Sequence, residues 1–321
     1  MYQKILKILK QTEGYVSGEQ LGEMLGVSRA AIWKGIQKLK EEGYKIEAVS
    51  NKGYHLIPSE EIYNGMELQE ALHTKIFGKE IYFFEEIDST NTYLKQLARE
   101  GKKEGTLVVA ELQTAGKGRR GRSWQTPKGE GIWMSLLLCP HIAPSEAPLL
   151  TLLAGLAVCK AIRKQTKLPA DIKWPNDILI HGKKVCGILT ELDAEIDNVN
   201  FVVTGIGINV NTVCFPEELK QSATSLNLEK GETICRKKLL CAVLEEFEKI
   251  YVQYEKESSF LPFLCAYKKY CINIGKQVQV FSKSPFQGLC VDVTPQGELV
   301  VEKENGQRVT VFSGEVSIRN L

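Results

Sequence analysis

Glycines and cations alternate in one short segment of the chain, residues 116–122, which reads Gly-Lys-Gly-Arg-Arg-Gly-Arg. Glycine lets a backbone curl closely around an anion, and arginine and lysine side chains supply the positive charge that a polyphosphate needs. The segment matches the dinucleotide pattern G-x-G-x-x-G, but that pattern must open a helix. Thr126, Pro127 and Gly129 follow and cannot propagate one. The segment therefore predicts an anion-binding loop, with a solvated basic loop as the alternative.

Two lysines and a polar tripeptide lie on either side of this loop in the sequence. One lysine opens the segment Lys-Trp-Pro-Asn-Asp at 173–177, and the other is Lys184, at the start of an apolar run. Lysines mostly lie solvated on surfaces, so neither position alone indicates catalysis. The tripeptide Ser-Thr-Asn at 89–91 precedes a helical pattern, where it fits a helix N-cap as well as a binding site.

The segments around these residues predict a mixed α/β domain that would bring them together. Strand patterns cover residues 81–84, 106–111, 132–138, 171–174, 184–193 and 200–209. Helical patterns cover residues 89–99, 145–164 and 233–256. From Gly275 onward short alternating runs and a turn signal at Asn305-Gly306 predict a small β-barrel.

The first 58 residues predict a winged helix-turn-helix. Three helical patterns come first; Ser17 and Gln20 form a capping box for the second, and Ser28 is an N-cap for the third. A hairpin pattern follows at 44–57. The third helix has no acidic residue as far as Lys40, which predicts a basic face, although such charge runs are often only solvated. Residues 58–65 have the composition of a linker.

Length and composition set broad limits on the class of protein. A chain of 321 residues predicts two or three domains, and a net charge of +2 says nothing about partners. Nine cysteines without a Cys-x-x-Cys pair predict reduced, buried thiols in a cytosolic protein. The N-terminus lacks the features of a signal peptide, and the apolar stretch 147–159 predicts a buried helix rather than a membrane span. The four histidines lack metal-ligand spacing.

Five segments of the chain resemble the sequence motifs of biotin protein ligases, in the order of that family. They are Asp88–Asn91, Gln113–Trp124, Lys173–Asp177, Lys184–Leu189 and Gly205–Asn209. With the predicted N-terminal and C-terminal domains, the resemblance covers the whole chain. Lys117 stands where the glycine-rich loop of the family often has arginine. The backbone rather than the side chain is expected to make the contact at that position, so the change from arginine to lysine has little effect on the resemblance.

The resemblance implies an α+β multidomain organisation. It places a winged helix-turn-helix DNA-binding domain at 1–60, a catalytic domain of the biotin/lipoate-ligase type at 66–272 and an SH3-like β-barrel at 273–321. It implies activation of biotin by ATP and magnesium to biotinyl-5'-AMP, followed by transfer to a lysine of a biotin carboxyl carrier protein. The implied acceptor belongs to acetyl-CoA carboxylase, with pyruvate carboxylase as a second candidate. A cytoplasmic, ligand-promoted homodimer would bind operator DNA and repress biotin genes.

The resemblance also implies roles for individual residues, without a metal ligand among the side chains. Catalysis is assigned to Lys184, Arg119 and Lys173. Biotin binding is assigned to Ser89, Thr90, Asn91, Gln113, Lys117, Gly118, Arg119 and Lys184. ATP binding is assigned to Arg119, Arg122, Trp124, Lys173, Asn176 and Asn209. The DNA side of the third helix would carry Arg29, Trp33, Lys34, Gln37 and Lys38. Joining two anions requires cations and positioned donors rather than an enzyme nucleophile.

Three other functions remain open at this point. A lipoate or octanoate ligase would share the central fold, but its own signature loop is absent. A ligand-sensing transcription factor without enzymatic activity is opposed by the two lysines and the intact loop. A ligase with a vestigial N-terminal domain is opposed by the basic face of the third helix.

Overall fold

A computed structural model of the chain describes residues 1–59, 62–196, 198–282, 284–312 and 317–320. Contacts between residues divide the chain into two compact units, Met1–Ala71 and Leu72–Leu321. The first unit contains the predicted DNA-binding segment, and the second contains every residue assigned to biotin or ATP.

The first unit is a three-helix bundle with an antiparallel hairpin, which confirms the predicted winged helix-turn-helix. Its elements are α1 (Tyr2–Gln11), α2 (Gly18–Leu25), α3 (Arg29–Glu41), β1 (Ile46–Val49) and β2 (Gly53–Leu56). The capping box of α2 is present, because the Gln20 N–H donates to Ser17 Oγ and the Ser17 N–H donates to Gln20 Oε1. Buried side chains from all three helices and the hairpin form one core.

A fourth helix, α4 (Gly65–Ala71), belongs to the same unit and begins where the predicted linker ends. Glu67 of α4 is only 6% exposed, and it accepts hydrogen bonds from Lys10 Nζ at 2.6 Å and from Tyr44 Oη at 3.0 Å. A buried carboxylate needs such partners to offset its lost hydration. These polar contacts attach α4 to the winged-helix core.

A seven-stranded mixed sheet forms the centre of the second unit. Its strands are β3 (Ile81–Phe84), β4 (Leu107–Ala110), β5 (Gly131–Leu138), β6 (Asp171–Lys173), β7 (Asp177–Ile180), β8 (Lys183–Ala194) and β9 (Val199–Asn209). The order is β3-β4-β5-β9-β8-β7-β6; β3 and β4 pair in parallel, and the other neighbours are antiparallel. The structure confirms the six predicted strands and adds β7.

Helices cover both faces of this sheet. They are α5 (Thr90–Arg99), α6 (Ala147–Thr166), α7 (Leu226–Lys230), α8 (Arg236–Glu257) and α9 (Leu261–Tyr270). Helix α6 packs against α8, and its Thr151 hydroxyl lies 2.8 Å from that of Thr190 in β8. By length and composition Pro144–Thr166 could cross a membrane, but 72% of its most apolar window is buried. Burial in the core accounts for this composition, as the sequence predicts.

The face of the sheet opposite α6 carries α5 at one end and polar residues at the other. Leu94 and Leu97 of α5 pack with Leu137 of β5 and Val203 of β9. Side chains alternate along a strand, so Ser135 shares the face of Leu137. The part of this face beyond the N-terminus of α5 is the part that holds the candidate site.

The C-terminal part of the second unit is a small antiparallel sheet, in agreement with the predicted β domain. Its strands are β10 (Gln277–Phe281), β11 (Phe286–Val293), β12 (Leu299–Glu302), β13 (Arg308–Val311) and β14 (Ser317–Asn320), in the order β13-β12-β11-β10-β14. The predicted turn at Asn305-Gly306 joins β12 to β13, and Gly306 has a φ of +81° that favours glycine.

All nine cysteines are free thiols. Cys159, Cys186, Cys241, Cys271 and Cys290 are buried, as predicted. Burial raises the pKa of Cys159 to about 12 and that of Cys271 to about 11. The prediction of burial is wrong for Cys214 and Cys265, which are exposed.

Candidate active site

An inner cavity opens at the N-terminal end of α5, beside β8 and β9. All eight residues assigned to biotin by the resemblance line it, namely Ser89, Thr90, Asn91, Gln113, Lys117, Gly118, Arg119 and Lys184. Its volume is about 50 Å³. The fold therefore gathers residues that are far apart in the sequence around one narrow space.

Four polar side chains form a connected network beside the inner cavity. The hydroxyl of Ser135, fully buried in β5, lies 2.7 Å from Thr90 Oγ1 and 2.5 Å from Asn91 Oδ1. Gln113 Oε1 accepts the Thr90 N–H at 2.9 Å and the Thr90 hydroxyl at 3.0 Å. The network holds Thr90, Asn91 and Gln113 in fixed relative positions.

Ser89 caps helix α5. This is one of the two roles, helix N-cap and binding site, that the sequence predicts for the tripeptide at 89–91. It is the N-cap of α5, where its hydroxyl accepts the Thr92 N–H at 3.4 Å. Because Thr90 and Asn91 belong to the polar network, capping and site formation are both present within three consecutive residues.

Three glycines leave room for the side chains of the site. Gly187 and Gly207 are cross-strand partners in β8 and β9, and the Trp124 ring lies against both. A Cβ on Gly207 would meet Trp124 Nε1 at 2.5 Å, and a Cβ on Gly205 would collide with Asn91 Oδ1. The glycines of the segment at 205–209 are therefore explained by the close approach of Trp124 and Asn91.

The glycine-rich basic segment forms a short hairpin. The Gly118 N–H donates to Arg122 O at 2.7 Å, and the Trp124 N–H donates to Gly116 O at 2.9 Å. At the tip, Arg120 has a φ of +58°. The sequence predicts backbone N–H groups free to bind an anion. That expectation is wrong for the N–H of Gly118, which the hairpin itself uses.

A wider outer cavity adjoins the inner one. The six residues assigned to ATP all line it, namely Arg119, Arg122, Trp124, Lys173, Asn176 and Asn209. Its volume of about 660 Å³ lies within the range of roughly 300–1,000 Å³ that is usual for small-molecule sites. Residues 212–223 contribute another wall, which includes Phe215 and Ser222.

Five residues line both cavities and form the junction between them: Gly118, Arg119, Trp124, Asn176 and Lys184. Arg119 Nη1 donates to Asn176 Oδ1 at 2.9 Å, and Asn176 Nδ2 donates to a backbone carbonyl of β8 at 3.1 Å. Lys184 Nζ lies 2.7 Å from Asp177 Oδ1 and 5.1 Å from the centre of the Trp124 ring. Two cations therefore stand at the place where the cavities meet.

The charge of Arg119 is poorly solvated at this junction. Burial lowers the pKa of Arg119, the like charge of Arg120 lowers it further, and Asp177 opposes the shift. A guanidinium stays protonated in proteins, so the lowered pKa reflects an unfavourable environment for its charge. An anion that entered the junction would relieve this cost.

Trp174 anchors the segment that carries Lys173 and Asn176. Its side chain is 1% exposed, its Nε1 donates to Gly297 O at 3.0 Å, and its backbone N–H donates to Asn273 Oδ1 at 2.8 Å. The peptide bond that follows Trp174 is cis. Because Asn273 precedes β10 and Gly297 precedes β12, these hydrogen bonds connect the segment to the C-terminal part of the unit.

Helix α3 presents its predicted DNA-binding residues on the surface of the first unit. Gln37 is half-buried, and the exposed residues are Arg29, Trp33, Lys34 and Lys38. Trp33 is 54% exposed, whereas Ile32, Ile36 and Leu39 are fully buried. The predicted division of this helix into a buried side and a basic side is confirmed.

Within the described ranges, no group of three or more His, Cys, Asp or Glu side chains could hold a metal ion. Two of the four histidines lie within hydrogen-bond distance of an oxygen atom of another residue. His181 Nδ1 lies 2.7 Å from Glu229 Oε2, and His55 Nδ1 lies 2.7 Å from Gly14 O.

Sequence analysis missed several residues that shape the site. Ser135 lies inside an apolar strand, the loop at 212–223 has no motif, and Glu191, which contacts Asn91, resembles any surface carboxylate. One signal was available. Glycine weakens a strand interior and often marks a close approach, so the glycines within β8 and β9 indicated that side chains pack against these strands.

Comparison with family models divides the chain into three consecutive parts. An HTH domain matches residues 2–55, the biotin/lipoate A/B protein ligase family matches residues 83–209, and the biotin protein ligase C terminal domain matches residues 274–319. These matches define a class of protein in which a ligase core follows a helix-turn-helix domain.

Individual relatives narrow this class. The chain is 41% identical to the bifunctional ligase/repressor BirA of Bacillus spizizenii, over 95% of its own length and 94% of that protein. It is 32% identical to the bifunctional ligase/repressor BirA of Escherichia coli, over 99% and 97% of the two lengths. The biotin protein ligase of Aquifex aeolicus in complex with biotin and ATP matches with a TM-score of 0.67 and 32% identity, over 76% of this chain and all of that one. The chain therefore belongs to the family of bifunctional biotin ligase/repressors.

Proposed function

We propose that this chain activates biotin with ATP to biotinyl-5'-AMP, transfers the biotinyl group to a lysine of an acceptor protein, and represses transcription through its first unit. One observation carries the enzymatic part. A narrow cavity and a nucleotide-sized cavity meet at two cations, Arg119 and Lys184. This is the arrangement that joining a carboxylate to a nucleotide phosphate requires.

The first half-reaction takes place at the junction. A carboxylate oxygen of biotin attacks the α-phosphorus of ATP, the bond to the bridging oxygen breaks, and pyrophosphate leaves. Lys184 contacts both the carboxylate and the α-phosphate, while Arg119 and Lys173 neutralise phosphate oxygens. Positioning and charge stabilisation supply the rate, so no side chain needs to act as a nucleophile.

The polar network of the inner cavity suits the ureido ring of biotin. This ring has one carbonyl acceptor and two N–H donors. Because Gln113 Oε1 already accepts the Thr90 N–H and lies 3.0 Å from the Thr90 hydroxyl, the amide nitrogen of Gln113 is the end left for the ligand. Thr90, Asn91 and Ser89 provide further polar groups, and Lys117 and Gly118 close the cavity on the hairpin side.

The outer cavity would hold the nucleotide. Trp124 flanks the adenine, and Arg122 lies near the phosphates. Asn209 uses one amide hydrogen to bind Thr224 O at 3.1 Å, which leaves its other hydrogen and Oδ1 for the adenine edge. Magnesium bound to the phosphates would withdraw negative charge from them. Asp177 and Glu218, the carboxylates that line this cavity, are oxygen ligands of the kind that magnesium prefers.

The second half-reaction transfers the biotinyl group. The amine of the acceptor lysine attacks the carbonyl carbon of the mixed anhydride, and AMP leaves. A relative from Mycobacterium tuberculosis that is 34% identical is named biotin--[acetyl-CoA-carboxylase] ligase, which supports the carrier protein of that enzyme as an acceptor. Pyruvate carboxylase is proposed as a second acceptor.

The remaining proposals concern regulation and organisation. A cytoplasmic homodimer, promoted by ligand, would place two copies of α3 on a two-fold symmetric operator. The domain limits 1–60, 66–272 and 273–321 stay predictions.

The test is direct. Purified protein is incubated with ATP, magnesium and biotin, and the bound species is identified by mass spectrometry, with lipoate as the matched control substrate. We expect biotinyl-5'-AMP, together with biotin-dependent pyrophosphate exchange. Exchange that requires lipoate instead would favour the neighbouring ligase class. The absence of exchange with either acid would favour a ligand sensor without catalysis.

A further inference from the structure

Glu191 of β8 contacts Asn91 without lining either cavity. Asn91 Nδ2 donates to Glu191 Oε2 at 2.8 Å, and Lys95 Nζ lies 2.7 Å from Glu191 Oε1. We propose that Glu191 is a positioning residue that fixes the orientation of the Asn91 amide and, through it, the hydrogen-bonding pattern that the inner cavity offers to a cyclic urea. This inference rests on the proposed biotin-binding function of that cavity.

The carboxylate of Glu191 is held in its ionised form by its neighbours. Burial would raise the pKa of Glu191, but hydrogen bonds from Lys95 and Asn91 outweigh it and lower the pKa. Glu191 is therefore ionised at neutral pH, and an ionised carboxylate can only accept hydrogen bonds. Asn91 must turn its NH₂ group towards Glu191, which directs its oxygen the other way.

The oxygen of the Asn91 amide faces the Ser135 hydroxyl. Asn91 Oδ1 lies 2.5 Å from the Ser135 hydroxyl, which carries a single hydrogen. Because Oδ1 can only accept, that hydrogen points to Asn91. Ser135 also lies 2.7 Å from the Thr90 hydroxyl, which in turn lies 3.0 Å from Gln113 Oε1. Ser135 Oγ can then only accept from the Thr90 hydroxyl, whose single hydrogen goes either to Ser135 Oγ or to Gln113 Oε1. The orientation of the Asn91 amide therefore decides whether Ser135 donates to Thr90 or accepts from it, and Thr90 lines the inner cavity.

The Asn91 side chain has no space for an alternative position. Asn91 is 5% exposed, and its Oδ1 packs against Gly205 so closely that a Cβ there would collide with it. The Asn91 side chain has no room to move away. Its contacts therefore depend on which end of the amide, Oδ1 or Nδ2, faces each neighbour. Two acceptors, Glu191 Oε2 at 2.8 Å and the Leu189 carbonyl at 3.3 Å, hold the Nδ2 end of Asn91, and the charged one is the closer.

The test uses two variants of Glu191 and measures the dissociation constant of biotin by calorimetry. Glu191→Gln has nearly the same shape but can donate or accept, so among the acceptors of Asn91 Nδ2 only the Leu189 carbonyl at 3.3 Å would still favour the original orientation. Loss of a hydrogen bond to a charged group typically costs roughly tenfold or more in binding. We expect biotin to bind about tenfold more weakly, with the KM for ATP unchanged within about twofold.

Glu191→Asp distinguishes orientation from simple packing. It is shorter by one methylene but can only accept, so we expect it to keep more biotin affinity than Glu191→Gln. A role in packing alone would give the reverse order, because glutamine matches the original shape and aspartate does not. The reverse order would overturn the inference.

Asp193→Asn is the matched control. Asp193 lies two residues further along β8 and pairs with Arg99 of α5 at 3.3 Å, so this variant also removes an ion pair between the strand and the helix. It does not touch Asn91, and we expect wild-type biotin affinity. An equal loss in this control, or Glu191→Gln binding biotin within twofold of wild type, would overturn the inference while leaving the proposed function intact. Wild-type protein that fails to bind biotin would overturn both.

Discussion

Arg119 and Lys184 reach the junction from different elements, a hairpin and a strand, and each already has a polar neighbour. Arg119 is held by Asn176 and Lys184 by Asp177. Long cationic side chains lose considerable freedom when a ligand fixes them. Because these partners restrict both side chains before the substrates arrive, part of that entropic cost is already met in the free protein.

We predict that Lys184→Ala and Arg119→Ala each reduce adenylate formation by about 10²- to 10³-fold, because each leaves charge on the reacting anions uncompensated. The measurement is biotin-dependent pyrophosphate exchange. Lys183→Ala is the control, since Lys183 is exposed on the same strand and lines neither cavity. Wild-type exchange in a folded Lys184→Ala protein would rule out the assignment of that lysine.

Among individual residues, the sequence indicated the charged ones but not the residues that hold them in position. The hairpin cations and Lys184 occur in recognisable segments, and the structure gathers them around the junction. Ser135 and Glu191 act on the site through other side chains. Their importance depends on distances across the sheet, and local sequence carries no information about those distances.

Between elements, the contacts of Trp174 connect the active-site segment to the C-terminal sheet. We predict that Asn273→Ala lowers the free energy of unfolding by about 1–3 kcal/mol, because the Trp174 N–H would be buried without an acceptor. The KM for ATP should also rise more than the KM for biotin, since Lys173 and Asn176 flank Trp174 in the outer cavity.

Urea denaturation measures the change in stability, with Asn305→Ala as the control. Asn305 also accepts a backbone N–H, that of Gln307 at 3.0 Å, but in an exposed turn where water can replace it. Its substitution should change stability by less than about 0.5 kcal/mol. Equal effects of the two substitutions would contradict the structural role of Asn273.

Helix α3 is the element on which the DNA prediction depends. We predict that Lys34→Glu weakens binding to a biotin-operon operator and reduces the salt dependence by about one unit for each DNA phosphate that the side chain no longer neutralises. Fluorescence anisotropy at several salt concentrations measures both quantities. Lys7→Glu, a charge reversal at another exposed lysine, on α1, should have a smaller effect. If Lys34→Glu binds as tightly as wild type at physiological salt, α3 is not the recognition helix.

Hydrophobic periodicity predicted most of the strands and helices, but it missed β7, α9 and α4. Strand β7 has only four residues and follows a proline, so the strand pattern ended at Trp174. Helix α9, which the sequence analysis did not predict, has a proline in its first turn, a position that a helix tolerates. Helix α4 is stabilised by contacts of Glu67 with residues far away in the sequence.

At the level of the whole molecule, the outer edge of β8 is a surface on which two chains can associate. Strand β7 pairs with β8 between Lys183 and Gly187, whereas Leu189–Ala194 pairs with β9 on one side and, among the described residues, with no strand on the other. An open edge can pair with a second chain. The basic hairpin has three glycines and four cations in residues 116–122, so a ligand that contacts its length would order it.

We predict that biotinyl-5'-AMP, rather than biotin or ATP alone, promotes dimerisation and hence operator binding. The adenylate contacts both cavities, so ordering the hairpin beside the β8 edge would raise the dimer affinity. Sedimentation with a non-hydrolysable adenylate analogue, compared with biotin alone and with empty protein, measures the coupling. Equal dimer constants in all three would refute the coupling but not the ligase activity.

The shared wall of the two cavities has a consequence for the lifetime of the intermediate. A ligand that fills one cavity and is covalently linked to a second group presents that group to the neighbouring cavity at an effective concentration on the order of millimolar. Biotinyl-5'-AMP is such a linked molecule, so we expect it to dissociate much more slowly than either substrate. The protein would then store an activated acyl group between encounters with acceptors, and the supply of acceptor would determine how long each molecule stays loaded.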